Sequence, residues 1–186
     1  FYLIKKTSSE ILFTSLLGGA ALYLLLITSK EFLNKKRNIS QVTSHFGFSL
    51  FVLSILFNTL FSTEFSANMK VGQELVYKKE EINFLKITTL DKKNYKSVIT
   101  NFEIMDEKKN TISLYPEIRI YNQPNIITSE ADIKSSIFDD KFIVINLVKG
   151  EEYFNIRYQI KPFMIWIWLS TFILIIGGFV SFTKKY

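Results

Sequence analysis

Residues 162–183 read Pro-Phe-Met-Ile-Trp-Ile-Trp-Leu-Ser-Thr-Phe-Ile-Leu-Ile-Ile-Gly-Gly-Phe-Val-Ser-Phe-Thr, a run without a single charged side chain. An α-helix needs about 20 such residues to cross the hydrocarbon core of a bilayer. Two further uncharged runs, 11–28 and 46–63, have the same character. Between the second and third runs lie 98 residues, 64–161, that hold 15 Lys/Arg and 15 Asp/Glu. The 186-residue chain is thus polarised into apolar spans and one charged, neutral block, which excludes a soluble cytosolic enzyme. Outside that block 8 basic and 2 acidic residues flank the spans and account for the whole net charge of +6. Basic residues beside spans set orientation, and no basic stripe of the kind that tracks phosphates is present, so the sequence predicts no nucleic-acid partner.

The expected organisation is a first span with a basic loop (1–40), a second span (41–63), a β domain (64–161) and a third span with a basic tail (162–186). The first span contains Gly18-Gly19-Ala20-Ala21, small residues that let a neighbouring helix approach closely; a plain lipid-facing anchor reads equally well. The cluster Lys30–Arg37 marks the loop after it as cytoplasmic, and Lys184-Lys185 mark the C-terminus likewise; only Lys5 and Lys6 argue the other way. Span 2 then travels outwards, capped at its start by Ser40, and span 3 returns, its start marked by Lys161-Pro162. The β block falls outside the cytoplasm, in a periplasm or an intermembrane space. Gly177-Gly178 and the tether of the β block predict that spans 2 and 3 lie side by side. The chain begins at Phe1, not Met, which reads as a fragment or processed product.

Five segments of the outer block are rich in Ile, Val, Phe, Tyr and Thr: 82–90, 95–105, 112–121, 142–148 and 153–160. Phe154, Ile156, Tyr158 and Ile160 alternate with polar residues. Asp91–Asn94, Asp106–Asn110 and the Lys149–Glu152 stretch are polar connectors of turn length. Five or six antiparallel strands are expected, forming a small barrel of OB type or a sandwich. The fold class is therefore a membrane protein with three transmembrane α-helices and an extracytoplasmic antiparallel β domain between helices 2 and 3.

Few residues can carry chemistry. Cysteine is absent, which excludes disulfides, thiolate catalysis and Cys-ligated metals within this chain. The single histidine, His45, stands about 7–8 Å along the helix from Ser40 at 1.5 Å per residue. Ionisable groups at such depth are costly and are functional candidates; a neutral imidazole there can ligate haem iron, relay protons or bond across helices. Phe46, Phe48, Phe51 and Phe57 crowd the same span, a wall for a porphyrin or ordinary helix packing. Trp166 and Trp168 sit where an aromatic belt is expected. Of 23 basic residues 20 are Lys, so Arg37, Arg119 and Arg157 are candidate positions for a planar guanidinium, or survivors by chance. No nucleophile–base pair and no phosphate loop exist, and Asp139-Asp140 and Glu151-Glu152 fall in turns, so no catalytic residue is assigned.

Four stretches carry a family resemblance: KPFMIWIWLSTFILIIGGFV (161–180), SLYPEIRIY (113–121) with ITSEADI (127–133), TSHFGFSLFVL (43–53) and NIRYQIKPF (155–163). They resemble, in order and over about residues 40–182, the C-terminal part of the CcmF family of cytochrome c maturation haem lyases. The resemblance implies a haem lyase subunit that receives haem from a periplasmic haem chaperone. The vinyl groups are joined to the Cys-x-x-Cys-His thiols of an apocytochrome c presented by its thiol-handling subunit. It also implies a resident membrane haem b with one axial ligand from the His-x-Gly span, which matches His45 and Gly47. Arg119, Arg157, Lys161, Pro162, Trp166 and Trp168 fall in the matched motifs as structural candidates. The tryptophan-rich segment, the external histidines and the second axial histidine of the family have no counterpart here. The resemblance therefore implies the C-terminal piece of a longer or split lyase in a bacterial or mitochondrial inner membrane. A non-catalytic scaffold that docks an apocytochrome or a haem chaperone is the competing function, as is a related lyase serving a special multihaem cytochrome.

Overall fold

A computed structural model describes residues 8–33, 38–148 and 152–183. Lys5, Lys6, Lys35-Lys36-Arg37, the Gly150-Glu151 connector and Lys184-Lys185 lie outside the described residues. In chain order, α1 (Ser8–Glu31) and α2 (Ile39–Phe61) precede the strands β1 (Thr63–Met69), β2 (Glu74–Tyr77), β3 (Glu80–Asp91), β4 (Tyr95–Asp106), β5 (Thr111–Leu114), β6 (Glu117–Tyr121), β7 (Ile127–Glu130), β8 (Asp132–Ser135), β9 (Asp139–Leu147) and β10 (Phe154–Pro162); α3 (Met164–Thr183) follows. The chain forms two compact units, one holding the helices with residues 137–139 and one holding residues 63–136 and 140–161.

In the helical unit, all three helices are long and apolar enough to cross a membrane. Their 20 to 24 residues give about 30–36 Å at 1.5 Å per residue. The start of α2 corrects the expected cap. Asn38, extended at φ −71°, is the N-cap, and its side chain accepts from the Ser40 backbone N–H at 3.2 Å. Ser40 is thereby drawn inside the helix, where its hydroxyl donates to the Gly177 carbonyl at 2.7 Å. Helices α2 and α3 pack closely along their length. A Cβ on Gly47 would sit 2.9 Å from the Leu174 backbone nitrogen, and one on Gly177 would sit 2.7 Å from that of Ser44. Gly178 has nothing within 4 Å of such a Cβ. Of the expected glycine pair, only Gly177 serves the contact. Helix α1 packs on α2, with Phe32 edge-on to Phe46 at 5.5 Å and Gly18 beside Leu56. A Cβ on Gly19 would have open space within 4 Å.

Pro162 is also placed differently from expectation. It closes β10 rather than opening α3, and Phe163 follows at φ 60°. Proline has no N–H to extend a ladder, so the strand stops there and one left-handed residue redirects the chain into the helix. The Pro162 carbonyl is satisfied by the Asn58 side-chain amide at 2.7 Å.

The β unit is a sandwich. One sheet has the order β1-β10-β9-β8, the other β2-β3-β4-β6-β7 with β5 also on β4. Every described pairing is antiparallel. The inward side chains of both sheets meet in one core of Met69, Ile82, Phe84, Phe102, Ile104, Leu114, Ile118, Ile143, Ile145, Ile156 and Tyr158. Phe84 and Phe102 stack at 4.4 Å, fully buried. Among the described residues ten strands replace the expected five or six. Segment 112–121 divides because Pro116 interrupts it: its carbonyl accepts from the Thr100 N–H and hydroxyl, both at 3.0 Å. The chain then moves from pairing with residues 102–105 of β4 to pairing with 95–99. The four strands absent from the sequence reading, β1, β2, β7 and β8, are four to seven residues long and interrupted by polar residues, chiefly Glu and Ser.

Candidate functional site

On α2 the burial pattern separates three faces. Ser40, Gly47 and Ser54 are buried, and the first two contact α3. Phe46 and Leu56 face α1. Gln41, His45, Phe48, Ile55 and Thr59 are exposed. At about 100° per residue these five fall within one arc of roughly 80°. His45 therefore stands on an exposed arc of α2 that neither neighbouring helix covers; Ile39, Phe57 and Phe61 are exposed on the opposite side. It lies six residues after Ile39, about 9 Å along the helix axis. Gly47, two positions on, is turned about 200° away and is occupied by the α3 contact, so the two halves of the His-x-Gly motif do different work.

The donor chemistry of this face suits one axial position of a haem. His45 supplies an imidazole nitrogen, and Phe48 and Ile55 on the same arc supply apolar surface. Among the described residues no group of three or more His, Cys, Asp or Glu side chains is placed to hold a metal. His45 is the only histidine, so the chain offers a single imidazole.

The remaining candidates scatter. In the β unit, the Arg119 guanidinium donates from Nη2 to Glu117 at 2.9 Å, lies 3.8 Å from Glu130 and sits over the Tyr95 ring at 5.3 Å. Glu130 is on β7, so the planar fork ties β6 to the edge strand, a task for which an ammonium has the wrong shape. The hydrogen bond from Arg119 holds the Glu117 carboxyl below its ordinary pKa, and the same pairing raises that of Arg119. Arg157 is exposed on β10, opposite Ser66. Lys161 is half-buried at the end of β10. Trp166 donates through its indole N–H to the Ile137 carbonyl at 2.8 Å, and Trp168 is 69% exposed. Arg37 and Glu151 lie outside the described residues; Glu152 pairs with Lys70 at 3.1 Å.

One buried polar cluster escaped the sequence reading. Glu80 on β3 accepts from the Tyr158 hydroxyl at 2.7 Å and from Lys141, linking the two sheets through β3, β9 and β10. In sequence Glu80 adjoins Lys78-Lys79 and Glu81 and looks like a solvated turn.

The comparisons accord with this architecture. The family model of the CcmF C-terminal β-sandwich matches residues 60–162. The chain is 26% identical over 147 residues to the cytochrome c-type biogenesis protein CcmF of Haemophilus influenzae, covering 78% of this chain and 23% of that protein. Its counterpart in Escherichia coli K12 is 26% identical over 151 residues, again 78% and 23%. A solved structure described as cytochrome c heme lyase CcmF superposes over 99% of this chain and 36% of that one, with a TM-score of 0.64 at 13% identity. The chain thus spans about a quarter of the length of these two relatives. With the sandwich matched as a domain and the three helices and sandwich shared with that fold, this chain belongs to the CcmF family, of which it represents the C-terminal region.

Proposed function

We propose that the chain works as the C-terminal part of a CcmF-type cytochrome c haem lyase, and that His45 gives one axial ligand to a resident haem b. The observation that carries this reading is the placement of His45 on an uncovered arc of α2, in an apolar span where an unused imidazole is costly. A scaffold that only docked an apocytochrome would have no use for that residue. A haem bound there supplies one-electron redox chemistry; this chain's part is to hold one axial site and to line it with Phe48 and Ile55. The second axial histidine comes from the remainder of the lyase.

The β unit belongs outside the cytoplasm, periplasmic or in an intermembrane space, as the basic residues beside the spans argue. There it borders the place where haem from the haem chaperone meets the apocytochrome c thiols and their thiol-handling subunit. A reporter fused at residue 110 should be active only as an extracytoplasmic fusion. The decisive experiment is an absorbance spectrum of the purified lyase with and without His45→Ala. Loss of the b-type spectrum together with cytochrome c assembly is expected, with partial return in added imidazole. An unchanged spectrum would make His45 a packing residue.

A further inference from the structure

Residues 137 and 138 link β8 to β9 and pack with the helices. Their backbone and side chains have opposite situations. The Ile137 carbonyl accepts from the Trp166 indole at 2.8 Å, and the Phe138 carbonyl accepts from the Phe163 N–H at 2.8 Å. Both donors belong to the first turn of α3 or the residue before it. The side chains stay uncovered, Ile137 at 61% and Phe138 at 69% exposure. Ser135 and Ser136 precede them and Asp139-Asp140 follow, so two apolar residues form the tip of an otherwise polar loop.

We propose that this Ile137-Phe138 tip is a membrane-interface anchor that inserts into the lipid at the outer end of α3. The depth follows from the hydrogen bonds: the loop is fixed to the residues where the apolar span begins, so it lies at the boundary between headgroups and acyl chains. The same level carries aromatic side chains, with Phe163 against Phe57 at 5.3 Å, Phe57 against Phe61 at 6.0 Å, and Trp166 and Trp168 beyond. Such belts mark the interface. Both carbonyls at the tip already have donors, which removes the main cost of placing irregular backbone near hydrocarbon. Burying two large apolar side chains about 5–10 Å into the interface is the way peripheral anchors bind, and this one fixes the start of α3 in depth.

The chain has no cysteine, so single labels are clean within it. Ile137→Cys and Phe138→Cys, each carrying an environment-sensitive fluorophore, are read in the complete lyase reconstituted in phosphatidylcholine–phosphatidylglycerol vesicles. Ile175→Cys, exposed in mid-α3, is the deep reference, and Lys108→Cys, in the β4–β5 turn, the aqueous one. At 137 and 138, quenching by a lipid with its doxyl group near the headgroup should exceed quenching by one labelled near the chain end by about threefold, with little quenching by iodide. Quenching by iodide as at 108 would place the tip in water. Protection from lipid and aqueous quenchers alike would show a protein partner covering it. Either result overturns the proposal without touching the assignment of His45.

Discussion

Glu117 and Glu80 show how differently two carboxylates of one domain respond to their surroundings. The Arg119 hydrogen bond lowers the folded-state pKa of Glu117, so its contribution to stability is full above the ordinary carboxylate pKa and is lost as pH falls through the depressed value. Acid unfolding monitored by circular dichroism should therefore steepen below pH ~4.5, and Glu117→Gln should flatten that limb while lowering stability at neutral pH. Glu80 is 9% exposed and holds both Tyr158 and Lys141. Glu80→Ala removes the carboxylate that accepts from the Tyr158 hydroxyl and pairs the half-buried Lys141 ammonium and should cost about 2–4 kcal/mol, while Glu80→Gln keeps acceptor capacity for the hydroxyl and should cost less. Denaturant titration of both variants separates these outcomes. At this scale the sequence exposed His45 because it is the one ionisable side chain in an apolar run. It could not expose Glu80, whose burial is created by residues about sixty to eighty positions away. Nor could it say which arc of α2 carries His45, since that depends on where α1 and α3 pack.

Gly177 and Gly178 are indistinguishable in the sequence and unlike in the helix pair. A Cβ at 177 would force Ser44 and the α2 backbone to move, and the Ser40 hydroxyl bond to the Gly177 carbonyl would go with it. Gly177→Val should therefore weaken the α2–α3 pair, lowering the thermal midpoint of the detergent-solubilised lyase by several degrees. Gly178→Val, with open space at its Cβ, should leave the midpoint within error, and equal effects of the two would contradict the packing described. Ser40→Ala tests the bond alone and should cost about 0.6 kcal/mol, near the mean for hydrogen bonds between membrane helices. Element boundaries were legible where the signal was long. The three uncharged runs lie within α1, α2 and the stretch from Pro162 through α3, apart from two residues after Phe61. Strands β1, β2, β7 and β8 were hidden because four to seven residues with polar outer faces carry too little periodicity, and β1 in addition finds its partner, β10, about ninety residues away.

The division into two units was written in the charge, since a block of 98 residues with 15 charges of each sign cannot share an environment with uncharged runs of membrane length. What the charge could not show is that the β unit closes on itself. Thr63 pairs with Ile160 and Met69 with Phe154, so the first and last strands of the domain are neighbours in one sheet. The core draws on both sheets and includes the stacked Phe84 and Phe102. A domain whose terminal strands satisfy each other does not need the helices to complete its ladder. The excised segment 62–162, with Ile137→Ser and Phe138→Ser to remove the apolar tip, should therefore be soluble, show a β-type circular dichroism spectrum and unfold in one cooperative transition. A domain of this size is expected to have about 5–10 kcal/mol of stability. Within it Phe102→Ala should remove about 3–5 kcal/mol, enough to bring the segment near its folding threshold, because it empties a fully buried ring position. Leu90→Ala, at a side chain 41% exposed, should cost less than 1 kcal/mol. A segment that stays unfolded in native buffer, or in which the two alanine variants behave alike, would mean that the sandwich takes its stability from the membrane helices and not from the core its own sheets enclose.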